Sequence, residues 1–133
     1  MKKRNRITQA ITLLGLFSFV ALAGCSDNPA DSDVVTLTVG AEMATVNLAM
    51  GKSSYDTQCQ GCHGDMGQGG SRPVPLNNYM SGQPYATFST LETKINTTMP
   101  QGTPAACGID CADNVTGYIY CSWNPTLVTS GCP

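Results

Sequence analysis

Cys59-Gln60-Gly61-Cys62-His63 places two thiols and an imidazole within five residues. Two cysteines separated by two residues and followed at once by histidine have the spacing of covalent haem attachment. The order has a chemical reason. Each thiol can add to one haem vinyl group, and the adjacent imidazole then lies under the iron as proximal ligand. Three other chemistries use part of this pattern. A thioredoxin-like redox pair needs a βαβ setting, of which the sequence gives no sign. A zinc site needs a fourth ligand and reduced thiolates, which do not persist outside the cytoplasm. A plain disulfide leaves His63 without a role. Haem held by Cys59 and Cys62, with His63 on the iron, is the chemistry that uses all three groups.

His63 is the sole histidine in the chain, so two histidines from this chain cannot flank the iron. The sixth position falls to a methionine, to another side chain or to an open site. Met66 is too close to His63 to cross to the other haem face. Met80 leads into Ser81-Gly82-Gln83-Pro84, a turn-like stretch. Met99 ends a helical pattern: Ser89 and Glu92 have capping-box spacing, and Leu91, Ile95 and Met99 recur every fourth residue. Pro100 then stops the helix.

These pieces occur in the order of a known family. Gly51-Lys52-Ser53-Ser54-Tyr55 leads into the cysteine–histidine motif, followed by Gly64 and Gly67-Gln68-Gly69. Pro75-Leu76, Thr98-Met99-Pro100 and an aromatic helix around Tyr118 come after. Over about residues 47–123 the chain resembles the class I mono-haem cytochromes c. The attachment motif is specific; the other pieces are weak singly. The resemblance implies Met99 as distal iron ligand, with Met80 as its rival. It also implies Pro75 as the residue whose carbonyl takes the proximal imidazole N–H, with Pro73 as rival. Fixing that N–H sets the tautomer and raises ligand basicity.

Five cysteines lie outside the motif. Lys2, Lys3, Arg4 and Arg6 precede an apolar run from Ile11 to Ala23, the layout of a secretory signal. Its end, Leu22-Ala23-Gly24-Cys25, resembles a bacterial lipobox, which implies a lipid on Cys25 and cleavage after residue 24. Cys107, Cys111, Cys121 and Cys132 remain, an even number in an exported chain. With Asp110 as an N-cap and Val115, Tyr118 and Ile119 at helical spacing, one helix carries both Cys111 and Cys121. Ten residues of helix separate them by about 15 Å, beyond the ~7 Å reach of a bridge. Cys107, at the start of that helix, is no better placed to reach Cys121. The expected pairs are Cys107–Cys111 and Cys121–Cys132.

The elements that must position this chemistry are few. Residues 1–24 form the expected signal, 25–45 a tether and possible extended arm, and 46–133 one cytochrome c domain. The expected fold is all-α, with helices near 46–59, 89–98 and 111–122 around one haem. Val34 to Val39 alternates and is consistent with a strand or an extended arm. A domain this small has a marginal core of its own, so a covalent cofactor and disulfides are the expected reinforcement. Trp123 has two expected places, over the haem edge or against the first helix, with core packing the simpler.

Loss of the signal removes four of seven basic residues and no acidic one, leaving a formal charge of −6. An acidic body argues against nucleic-acid binding and suits a basic partner surface. The glycine-rich run from Gly64 to Gly70 lacks the strand and Lys-Ser/Thr of a phosphate loop. Nothing suggests paired catalytic carboxylates or a Ser/His/Asp set. The expectation is an electron carrier, not an enzyme, exchanging electrons with exported redox proteins or a membrane oxidoreductase. Its expected location is a membrane, through the lipid, facing the periplasm or cell exterior; Ser26 after the lipidated cysteine favours the outer membrane. Two alternatives have a different character: a haem-bearing accessory subunit of an exported oxidoreductase, or an open-site haem enzyme or sensor.

Overall fold

The computed structural model describes residues 33–71, 75–77, 84–103 and 106–133. Cys25, Pro73, Met80 and the expected signal lie outside the described residues. Alternating β-branched residues open the folded part. In β1 (Val34–Val39), Val35, Leu37 and Val39 face inward, and Leu37 and Val39 are fully buried. Gly40 reverses the chain at a φ of 61°, a conformation costly for any residue with a Cβ. β2 (Glu42–Asn47) returns antiparallel, with Val35 opposite Val46 and Leu37 opposite Ala44. On the outer face Thr36 and Thr45 share a hydroxyl hydrogen bond of 3.1 Å. A short third strand, β3 (Val128–Ser130), pairs with the other edge of β1, giving the order β2-β1-β3.

This antiparallel sheet overturns the all-α expectation. The alternation in β1 was visible, but its partners were not. Glu42 to Thr45 carries too few apolar residues to announce a strand, and β3 is three residues long. Both are strands because of what they pair with, since strand preference depends on cross-strand neighbours more than on intrinsic propensity. The sheet covers the helices with Leu37, Val39 and Val46, apolar surface that helices alone do not supply.

Four helices follow: α1 (Leu48–Gln58), α2 (Gln60–His63), α3 (Phe88–Thr98) and α4 (Gly108–Trp123), with a 3-10 turn over Pro125–Leu127. Asn47 starts α1 by accepting from the Met50 N–H at 2.9 Å. Its own N–H donates to the Asn114 side chain at 2.7 Å, so α4 fixes where α1 begins. α3 begins one residue before Ser89, and its cap comes from elsewhere in the chain. Glu42 of β2 accepts from both the N–H (2.8 Å) and the hydroxyl (2.9 Å) of Ser89. The expected partner within the helix, Glu92, does not take that role. A carboxylate beside a helix N-terminus is favoured by the helix dipole as well as by these bonds.

α4 is the spine. It packs against α1, α3 and β2 and buries Ala112, Val115, Thr116, Gly117, Ile119 and Tyr120. Two glycines permit close crossings. A Cβ on Gly51 would collide with the Asn114 carbonyl of α4, and one on Gly117 would lie 2.5 Å from Val46 Cγ2. α4 starts at Gly108, with Cys107 as its cap residue and Asp110 inside the first turn, where Asp110 had been expected to cap. Disulfides join Cys107 to Cys111 across that first turn and Cys121 to Cys132, so the tail carrying β3 is tied to α4. Such bridges in small domains typically contribute about 2–4 kcal/mol each.

Candidate haem site

The attachment motif occupies one short helical turn at the end of α1. Cys59 N–H continues α1 by donating to Tyr55 O at 2.9 Å, and the Cys62 and His63 N–H groups both donate to Cys59 O. Gly64 ends the turn at a φ of 81°. The backbone then doubles back: Gly69 N–H donates to His63 O at 2.8 Å, and Leu76 and Asn77 N–H both donate to Gly67 O. Gly67 has no room for a side chain, since a Cβ there would be 2.8 Å from the Trp123 ring. Trp123 therefore closes over the loop behind the motif.

An aromatic cluster supports this turn. Tyr55 meets Trp123 edge-on at 4.9 Å and Tyr118 at 5.8 Å between ring centroids, and Tyr118 meets Trp123 at 5.2 Å. The Tyr55 hydroxyl donates to Gly64 O at 2.7 Å. Burial pushes the Tyr55 phenol well above its ordinary value, with neighbouring acidic groups adding to it. Of the two places open to Trp123, the structure puts its ring against the first helix and the glycine loop.

Cys59 is half-buried and Cys62 exposed, and both thiols are free, whereas Cys107, Cys111, Cys121 and Cys132 are spent in disulfides. Burial foremost, and the neighbouring Cys62 after it, together push the Cys59 thiol up to about 11. Redox-active cysteine pairs show the reverse, a lowered thiol pKa. No group of three or more metal-ligating side chains occurs among the described residues. The set itself is suited to haem: two unbridged thiols and an adjacent imidazole on one turn, backed by glycines that let the chain pass close. The donor set fits the cofactor.

The other expected site residues fall on separate elements. Met99 caps α3 at its C-terminus, half-buried, with its N–H on Ile95 O at 3.2 Å. Leu91 and Ile95 of the same face are buried in the core. The Met99–Pro100 peptide bond is cis. Pro75 is half-buried in the loop that bonds back to Gly67. Two participants were missed in the sequence. Tyr55 stands four residues before Cys59, a spacing that puts it one turn below the motif and could have flagged it. Asn124, just past α4, donates to Leu76 O at 3.0 Å and carries no such local signal.

A Cys-x-x-Cys-His turn at the end of one helix, packed against a long aromatic C-terminal helix, is the arrangement expected of a cytochrome c domain. Residues 46–119 match the family described as cytochrome c oxidase, cbb3-type, subunit III, and the chain belongs to that family. Covalently bound haem c and haem-based electron transfer are what the family implies. No curated protein matches the chain. Among solved structures, it is similar to the sulfane dehydrogenase SoxCD from Paracoccus pantotrophus, with a TM-score of 0.51 and 26% identity. That match covers 60% of this chain and 44% of the other, so this chain spans less than half the length of the chain it matches.

Proposed function

We propose that the protein is a one-electron carrier holding a single haem through Cys59 and Cys62, with His63 and Met99 as axial ligands. The observation that carries this is the pair of unbridged thiols beside His63 on one turn, in a chain whose other described cysteines are all paired. Bound haem supplies an Fe(III)/Fe(II) couple whose potential depends on the axial ligands and on burial. The chain's part is to anchor, orient and partly shield it. Gly61 and Cys62 are exposed, which brings the attachment turn to the surface where a partner can dock. A Met99 thioether on the iron would leave no open position there, which would favour outer-sphere transfer over substrate chemistry. Redox titration of the purified protein tests this: a single one-electron transition at relatively high potential is expected. A transition accompanied by binding of carbon monoxide to the resting reduced protein would favour an open-site enzyme or sensor.

Two disulfides support an oxidising compartment. With Lys2 to Arg6, the apolar run and Leu22-Ala23-Gly24-Cys25, they support an exported lipoprotein whose lipid sits on Cys25. The outer membrane is the proposed site, with exported redox proteins or a membrane oxidoreductase as partners. Cys25→Ala should release the haem protein into the soluble fraction; a variant that stays membrane-bound with residues 1–24 uncleaved contradicts the lipid anchor. A second reading, a haem-bearing accessory subunit docked to an exported oxidoreductase, is favoured by the likeness to a dehydrogenase. Co-purification with such an enzyme in stoichiometric amount would select it.

A further inference from the structure

We infer that the free edge of β2 is a docking site for an extended, basic segment of a partner protein, taken up there as an added strand. Among the described residues β2 pairs with β1 alone, at one end of the order β2-β1-β3. A two-residue reversal at Gly40 and Ala41 joins the two strands, with Val39 opposite Glu42. In such a hairpin the closing pair exchanges hydrogen bonds, and so does every second pair from it. Those pairs are Val39 with Glu42, Leu37 with Ala44 and Val35 with Val46. The N–H and C=O groups of Met43 and Thr45 therefore point away from β1. No backbone hydrogen bond to another part of the described chain uses them.

Sheet edges are commonly blunted by shortness, proline, lysine, a bulge or a covering element. β3, at the other edge, is three residues long, and its pairing is irregular between Thr38 and Val39. β2 has six residues, a regular register and neither proline nor lysine. Its one charged residue, Glu42, is turned onto Ser89. Of the two edges, β2 is the one left open.

A groove of about 520 Å³ runs along it, lined by residues 42–45 and by Phe88, Ser89, Glu92 and Asp113. Residues 42–45 send side chains to both faces of the sheet, so the groove follows the edge itself. Met43, 78% exposed, and Phe88 give it apolar contact. Glu42, Glu92 and Asp113 give it negative charge, and no lysine or arginine lines it. Glu92 Oε1 is shielded from solvent without a hydrogen-bond partner, an acceptor that an incoming ammonium or guanidinium would satisfy.

These features select the occupant. A second copy of this chain, pairing edge to edge, would set the three carboxylates of one groove against those of the other. The stretch before β1, residues 25–32, carries Asp27 and Asp31 and no basic residue. A basic segment of another protein meets neither objection. Main-chain bonds to Met43 and Thr45 supply affinity, and side chains facing the carboxylates supply selectivity. The site needs none of the residues of the attachment turn, so it stands apart from the choice of iron ligands.

Titration calorimetry of the purified haem-bearing protein tests this, with a capped peptide of four alternating lysine–valine pairs as probe. The peptide should bind one to one and protect the Met43 and Thr45 amides from hydrogen exchange. Glutamate in place of lysine should abolish binding. N-methylation of alternate peptide amides keeps the charge and blocks strand pairing; it should weaken binding about fivefold or more, the worth of one hydrogen bond. Thr45→Pro, which removes an N–H that β1 does not use, should weaken the lysine peptide by a similar factor, about fivefold. Should that variant fail to accumulate, Glu92→Gln reads the charge contribution, with affinity lowered about twofold or more. Equal binding of the N-methylated peptide would reduce the effect to charge attraction and overturn strand docking. No saturation by the lysine peptide at low ionic strength, protection confined to residues outside β2, or self-association of the protein through this edge would overturn it as well.

Discussion

The phenol of Tyr55 donates to the carbonyl of Gly64 at 2.7 Å, linking the core of α1 to the residue directly after His63. The bond closes a loop around the attachment turn. Below it the ring is fully buried against Trp123 and Tyr118. One side chain therefore serves packing with its ring and backbone geometry with its hydroxyl. Both functions converge on the turn that carries Cys59, Cys62 and His63.

Tyr55→Phe separates the two. The ring contacts stay, and the Gly64 carbonyl loses its donor, so the variant should lose about 1 kcal/mol of stability. Covalent haem should be retained. Chemical denaturation of the haem-bearing variant against the parent measures this; equal midpoints would show that the hydroxyl contributes nothing.

Met99 tests the distal side. Met99→Ala should keep the haem attached while the ferric iron becomes high-spin or open to added ligands and the potential falls. In the parent protein the weak far-red band of a methionine–iron bond should be present, and in the variant gone. An unchanged spectrum and potential would move the ligand role to Met80 or elsewhere.

How much of this was legible beforehand differs by element. The attachment motif was the most legible feature because its chemistry is local: five consecutive residues carry it, and the structure sets them on one turn. The disulfide partners were legible for a similar reason: helix length fixes how far Cys111 lies from Cys121. The sheet was half legible. β1 announces itself by alternation, but β2 and β3 owe their strand geometry to pairing across distance, and a single chain read locally holds no record of that. The cap of α3 shows the same limit. Ser89 and Glu92 have the right spacing, yet Glu42, 47 residues earlier, occupies the N-terminus. Asn124 is the extreme case, since its partner is 48 residues away and nothing near it signals the need.

Asp113 supplies a pH test. It sits between β2 and α3 along a groove that Glu42 and Glu92 also line. Burial holds its carboxyl above the ordinary range, and Asp110 adds to that. Folding therefore favours the protonated form. Its contribution is greatest below the ordinary aspartate pKa and is lost as pH rises through the raised value of the folded state. Asp113→Asn should then be more stable than the parent at neutral pH, with the difference shrinking in acid. Thermal melts across the acid range check it; a variant less stable than the parent at neutral pH would contradict the sign.

The most direct test of the whole account is the mass of the denatured, purified protein. Attachment through Cys59 and Cys62 predicts one haem added to the polypeptide, surviving acid-acetone extraction, with both thioethers mapped to the Cys59–His63 peptide. Haem stripped completely by that extraction, or Cys59 and Cys62 found joined to each other as a disulfide, would contradict it.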